Sequence, residues 1–149
     1  MKTPRRAAAS VAAALFALAL TAAAADRPAR LVVEVSGFRS DHGQLLLRLY
    51  GSEPGFPTDG RRALRQLAQP IKDGRSVLEL ADLPFGTYAI GCVHDENGNG
   101  KLDTNLLGIP REGVCASNDA RGHRGPPRWS DARFDFRADG TTLRIHLQY

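Results

Sequence analysis

Residues 87–94 read TYAIGCVH. Tyr88, Ile90 and Cys92 alternate with Ala89, Gly91 and Val93, the two-residue period of a strand whose successive side chains face opposite ways. LPFG at 83–86 turns the chain into this strand. Before it, Leu78 and Leu80 share a face and Val77 and Glu79 the other, which predicts a strand over 76–80. Further upstream, Leu31, Val33 and Val35 alternate over about 30–37, and Leu45, Leu47 and Leu49 alternate over 44–50. SDHG at 40–43 lies between those two. Asp41 can bond its own backbone and Gly43 tolerates positive φ, so the pair is expected to form a hairpin.

GSEPGFPTDG at 51–60 is a Pro/Gly-rich loop. RRALRQLAQPIKDG at 61–74 fits a short helix or an edge strand, and Pro70, which ends helices but is tolerated at an edge, favours the strand. Two more strands are expected at Ala132–Arg137 and, after the turn ADG, at Thr141–Gln148, where Leu143, Ile145 and Leu147 share a face. About seven short alternating strands without a long helix predict an all-β fold, an antiparallel immunoglobulin-like or transthyretin-like β-sandwich. A long irregular region is expected near 95–130, with Pro110, Pro126, Pro127 and six glycines from Gly98 to Gly125. A small outer-membrane barrel needs strands of about 9–11 residues, longer than most of these.

The chain starts differently. Lys2, Arg5 and Arg6 precede an apolar run from Ala7 to Leu20, followed by small residues up to Asp26. This predicts a signal peptide over 1–25, cleaved after Ala25 with Ala23 and Ala25 at the recognition positions. The apolar run is shorter than the roughly 20 residues that span a bilayer. Removing 25 of the 149 residues leaves a single domain over 26–149, large enough for its own core. Three of the 20 Lys+Arg and none of the 16 Asp+Glu fall in the leader, so the remainder carries +1. That balance speaks against a nucleic-acid partner. No later stretch is long and apolar enough to cross a membrane as a helix. The expected location is periplasmic or secreted. In that compartment Cys92 and Cys115 are expected to form a disulfide, worth roughly 3–3.5 kcal/mol by loop closure.

HDENGNGKLDTN at 94–105 follows the central strand. Counting Asp95 as position 1, oxygen-bearing side chains fall at 1, 3, 5 and 9: Asp95, Asn97, Asn99 and Asp103. Gly100 stands at 6, the backbone carbonyl of Lys101 is available at 7, and Leu102 at 8 can anchor the loop. This is most of a calcium loop, because Ca²⁺ takes six to eight hard oxygens and a tight turn of alternating Asp and Asn can wrap one ion. Position 12 is Leu106 and not the bidentate glutamate, so Glu112 is the candidate that completes the shell, ahead of Glu96. The competing interpretation is a purely polar Asn/Gly turn. With two certain carboxylates the expected affinity is about 10⁻⁴–10⁻³ M. Zinc is disfavoured, since it prefers Cys/His sets. No G-x-S-x-G elbow occurs. Arg121, Arg124 and Arg128 beside Trp129 read as a solvated loop with one anchoring indole, with a binding patch as the alternative.

LPFGTYAIGCVHDENGNGKLDTNLLGIPREGVCASN, followed by GPPRWSDARFDF, resembles the secreted bacterial family called domain of unknown function 2141. The resemblance implies an extracytoplasmic β-sandwich. It also implies that Gly108-Ile109-Pro110, Glu112 and Ser117-Asn118 share one surface with the acidic loop. LPFGTY is similar to a strand start in prealbumin-like and adhesin-repeat sandwiches, some of which carry calcium loops. The expected function is a non-enzymatic, calcium-stabilised envelope domain, binding a protein or glycan through the 94–130 surface or serving a structural role. The alternative is a metal-dependent hydrolase using the 94–112 loop, with His94, Asp95 and Glu112 as acid/base groups.

Overall fold

The computed structural model describes residues 29–149. The expected signal peptide lies outside them. Eight strands form two sheets: β1 (Ala29–Ser36), β2 (Gln44–Tyr50), β3 (Arg65–Gln69), β4 (Arg75–Leu83), β5 (Gly86–Asp95), β6 (Val114–Ala116), β7 (Phe134–Phe136) and β8 (Thr141–His146). One sheet has the order β4-β1-β8. The other has the order β3-β2-β5-β6, with β7 also paired to β5. The all-β sandwich is therefore the observed architecture. Among the described residues no helix is long and apolar enough to cross a membrane.

The alternating faces behave as read. Leu31, Val33 and Val35 of β1, Leu45, Leu47 and Leu49 of β2, and Leu78 and Leu80 of β4 are buried together with Ile90, Phe136 and Ile145 in one core. Burying apolar side chains of this size is worth about 1.5–3 kcal/mol each before conformational entropy is counted. β5 is covered on both faces. Tyr88, Ile90 and Cys92 enter the main core, while Ala89 packs with Ala116 and Ala132 under Phe56 and Trp129. Phe56 stacks edge-on against Tyr50 at 5.4 Å and Trp129 at 5.8 Å. Trp129 is thus an anchor. Gly91 permits this outer layer, since a Cβ there would stand 2.9 Å from Pro57 Cβ.

Several connections differ from expectation. β1 and β2 do not form a hairpin. β1 pairs with β4 and β8, whereas β2 pairs with β3 and β5. The 37–43 segment crosses between sheets, and Asp41 fixes it by accepting the N–H groups of Asp73 and Gly74, each at 2.8 Å. The pairing is not wholly antiparallel either. β8 lies parallel to β1, with Leu31 opposite Thr141. β3 is an edge strand, as Pro70 suggested, and a 3₁₀ turn at Gly60–Arg62 precedes it. The strand expected at 132–137 is present as β7, shortened to Phe134–Phe136, and a one-turn helix not foreseen, α1 (Trp129–Ala132), precedes it.

β6 is the strand not foreseen, and it falls inside the irregular region. Its register sets Cys115 directly opposite Cys92. The expected bridge is not formed in this structure, where both are buried free thiols. The β5–β6 ladder itself joins the two ends of the 96–113 segment. Burial pushes the Cys115 thiol well above its ordinary pKa, with the Cys92 hydrogen bond adding to it. Both thiols are expected to resist alkylation in the folded protein and to react in denaturant, as quantified by mass spectrometry. Rapid modification of the folded chain would contradict their burial.

Ser117 fastens the outer layer to β5. Its Oγ accepts the Ile90 N–H at 2.9 Å and donates to the Ala132 carbonyl. Asn118, with φ of 60°, donates to the carbonyls of Asp131 and Arg133. Ser117→Ala leaves a buried N–H and a buried C=O unpaired. It is expected to cost about 1–3 kcal/mol of unfolding free energy in denaturant titration.

Candidate functional site

The site grows from the end of β5. Asp95 is fully buried and sits opposite Gln44 of β2. Gly43, with φ of 75°, lets the preceding turn press against this strand end, because a Cβ there would fall 2.0 Å from the Asp95 carbonyl oxygen. The Asp95 carboxylate then organises the loop. Oδ1 accepts the Asn99 N–H at 3.0 Å, and Oδ2 accepts the Gly100 N–H at 2.9 Å and Gln44 Nε2 at 2.8 Å. Burial works to raise its pKa. The hydrogen bonds from Gln44 and from the amides of Gly100, Asn99 and Gly98 outweigh that and hold it below the usual carboxylate value.

Asn97 and Asn99 each form a local turn, accepting the N–H of Asn99 and Lys101 respectively at 3.0 Å. Their amide nitrogens both face Asp103: Asn97 Nδ2 lies 2.6 Å from Oδ2, and Asn99 Nδ2 lies 3.0 and 3.1 Å from the two oxygens. The structure therefore brings Asp95, Asn97, Asn99 and Asp103 into one turn. Lys101 contributes its N–H to that turn and leaves its side chain exposed.

Glu112 lies against the loop through backbone hydrogen bonds. It is buried, and its two oxygens accept the backbone N–H of Glu96 and of Asp103, both at 2.9 Å. It clamps the two ends of the loop. Among the described residues no three His, Cys, Asp or Glu side chains gather as a metal-ligating set. A cation here would depend on amide and backbone oxygens beside Asp95 and Asp103. Each of these oxygens has a second lone pair to offer, so the residue types fit a hard cation of modest affinity.

His94 has both ring nitrogens engaged. It is fully buried, with Nε2 2.8 Å from the His42 carbonyl and Nδ1 2.7 Å from Tyr149 Oη. A carbonyl only accepts, so the proton is assigned to Nε2. Tyr149 Oη accepts the Arg39 N–H and donates to Nδ1. The Arg39 guanidinium lies over the Tyr149 ring at 4.5 Å and reaches Glu96 Oε1 at 2.6 Å. That oxygen receives no well-directed hydrogen bond and is held by charge.

Downstream, Gly108, Ile109 and Pro110 do lie beside the loop. Thr104 bridges Pro110, and Arg111 N–H reaches the Asp103 carbonyl at 2.9 Å. Ser117, which is buried, and Asn118, which is exposed, make their side-chain hydrogen bonds to β5 and to the 131–133 segment and none to the loop. Sequence reasoning missed the Asp95–Gln44 bond and the Tyr149 contact to His94. Both join residues more than 50 positions apart.

Fold and site together define a β-sandwich with a self-bonded Asp/Asn turn at the end of β5. A model of the family described as "Uncharacterized protein conserved in bacteria (DUF2141)" matches residues 33–144, and the chain belongs to that family. No curated protein and no solved structure matches it.

Asp95 gives the fold a defined pH response. Its folded-state pKa lies below the unfolded value of about 3.9, so its contribution is complete above that value and is lost as pH falls through the folded-state pKa. In excess chelator, Asp95→Asn is expected to lower stability at pH 7 by about 1–3 kcal/mol. It should also flatten the acid limb, as measured by denaturant titration from pH 7 to 2. An unchanged acid limb would show that Asp95 contributes nothing to it.

Proposed function

We propose that this chain is an exported, non-enzymatic β-sandwich, stabilised by calcium at the 95–103 loop, with a binding or structural role in the cell envelope. The observation that carries the reading is the convergence of Asn97 and Asn99 amide nitrogens on the Asp103 carboxylate at 2.6–3.1 Å. Two positive dipole ends there balance a charge that a cation would balance better. Asp95, Asn97, Asn99 and Asp103 would hold the ion, with the Lys101 carbonyl. Glu112 would keep the loop closed around it. The loop is already hydrogen-bonded to itself, so the ion competes with existing bonds. It stabilises the loop and does not switch its shape. The basic and apolar leader ending in Ala23–Ala25 supports export. The hydrolase reading gains nothing, because both His94 ring nitrogens are already bonded inside the core.

At roughly 5 mM calcium and a Kd of about 10⁻⁴–10⁻³ M, ion binding adds about 1–2.3 kcal/mol. That should raise the thermal midpoint by roughly 3–10 °C over chelator. Asp103→Ala is expected to abolish the shift while leaving the chelated protein folded. Equal midpoints with calcium and chelator, or a shift that survives Asp103→Ala, would remove the site.

A further inference from the structure

The turn next to the ion loop has a feature the calcium reading does not use. Leu106, Leu107 and Ile109 expose 106 %, 83 % and 55 % of their surface. They are held there by structure. Asn105 Oδ1 accepts the N–H groups of Leu107 and Ile109 at 2.9 and 3.0 Å, and its backbone bonds Ile109 and Gly108. Gly108, with φ of 76°, closes the turn. A rigid turn that keeps three large apolar side chains in water costs solvation continuously, and such patches mark contact sites.

The charges around it say which contact. From 97 to 111 the exposed ionic side chains are Lys101 and Arg111, both cationic. The neighbouring acids are turned away: Asp95 and Glu112 are buried in backbone hydrogen bonds, Asp103 faces the two asparagine amides, and Glu96 is paired to Arg39. Arg111 borders a shallow depression lined also by Thr104, Asn105 and the two leucines. The depression is open and the three apolar side chains of this turn are exposed, so the turn suits a soft, flat partner. Apolar side chains entering the acyl boundary below a cationic rim is how interfacial segments bind anionic lipid.

We propose that the Thr104–Arg111 turn is a bilayer-docking tip. Leu106, Leu107 and Ile109 enter the interfacial zone of an anionic lipid surface, and Lys101 and Arg111 meet its headgroups. The inference stands without bound calcium, so its test is run in excess chelator. The full chain carrying Leu106→Trp is mixed with vesicles of phosphatidylglycerol and phosphatidylcholine, or of phosphatidylcholine alone. The emission of the parent protein, from Trp129, is the reference.

With the anionic vesicles, the added indole should shift to the blue and be quenched by brominated acyl chains. Leu107→Ser/Ile109→Ser in that background should weaken the vesicle-dependent shift on the order of a hundredfold. Lys101→Gln/Arg111→Gln should weaken it about twentyfold and remove the preference for anionic lipid. Unchanged thermal midpoints would show that these exposed substitutions leave the fold intact. An indole that stays solvent-like with vesicles overturns the proposal, even if the chain sediments with them through another segment. So does concentration-dependent self-association that the serine variant abolishes, which would assign the tip to a second copy.

Discussion

Strand β5 carries apolar side chains on both faces, and each face requires a cover. The main core supplies one, through Tyr88, Ile90 and Cys92. The second cover is assembled from pieces with little regular structure: Phe56 and Pro57 from one loop, and α1 with Trp129 from another. Ser117 ties that layer to β5 through the Ile90 N–H and the Ala132 carbonyl. With both faces fixed, β5 ends at a defined point. The buried Asp95 at that point can then order a loop of mostly exposed residues. The site is thus a consequence of how firmly one strand is held.

The ordering of the loop illustrates what a carboxylate can do without a metal. Asp95 and Glu112 between them accept four backbone N–H groups, at Asn99, Gly100, Glu96 and Asp103. Hydrogen bonds to ionised acceptors are among the stronger contributions available to a loop, roughly 1.5–3 kcal/mol each. Two buried acids therefore replace the packing that an exposed, glycine-containing turn cannot supply. The same two residues remove negative charge from the surface, which leaves Lys101 and Arg111 to set its sign.

Local patterns were legible in the sequence and long-range partners were not. Alternation located β1, β2, β4, β5 and β8 and identified their inward faces, because a period of two reports burial directly. It does not say which strand lies alongside. The 37–43 turn reads equally well as a hairpin or a crossing between sheets, and only its bonds to Asp73 and Gly74 decide. β6 was missed because three residues are too few to show a period. At the site, Asp95, Asn97, Asn99 and Asp103 were readable because their spacing is the signal. Glu112 was expected beside the loop as a ligand, and what the sequence could not show is that its oxygens accept the Glu96 and Asp103 amides. The hydrogen-bond partner of His94 Nδ1 is Tyr149, 55 positions away.

The parallel pairing of β1 with β8 has a consequence for how the chain acquires its structure. β1 lies in the middle of its sheet, flanked by β4 on one side and the last strand on the other. Until β8 arrives, β1 exposes a free edge and Val33 and Val35 lack the cover that Ile145 provides. Closing a contact over some 110 residues, as between Leu31 and Thr141, carries the entropy of a loop nearly as long as the domain. The smaller sheet is therefore complete only once β8 has joined it. A growing chain of this topology stays open along one edge until its final strand has been made.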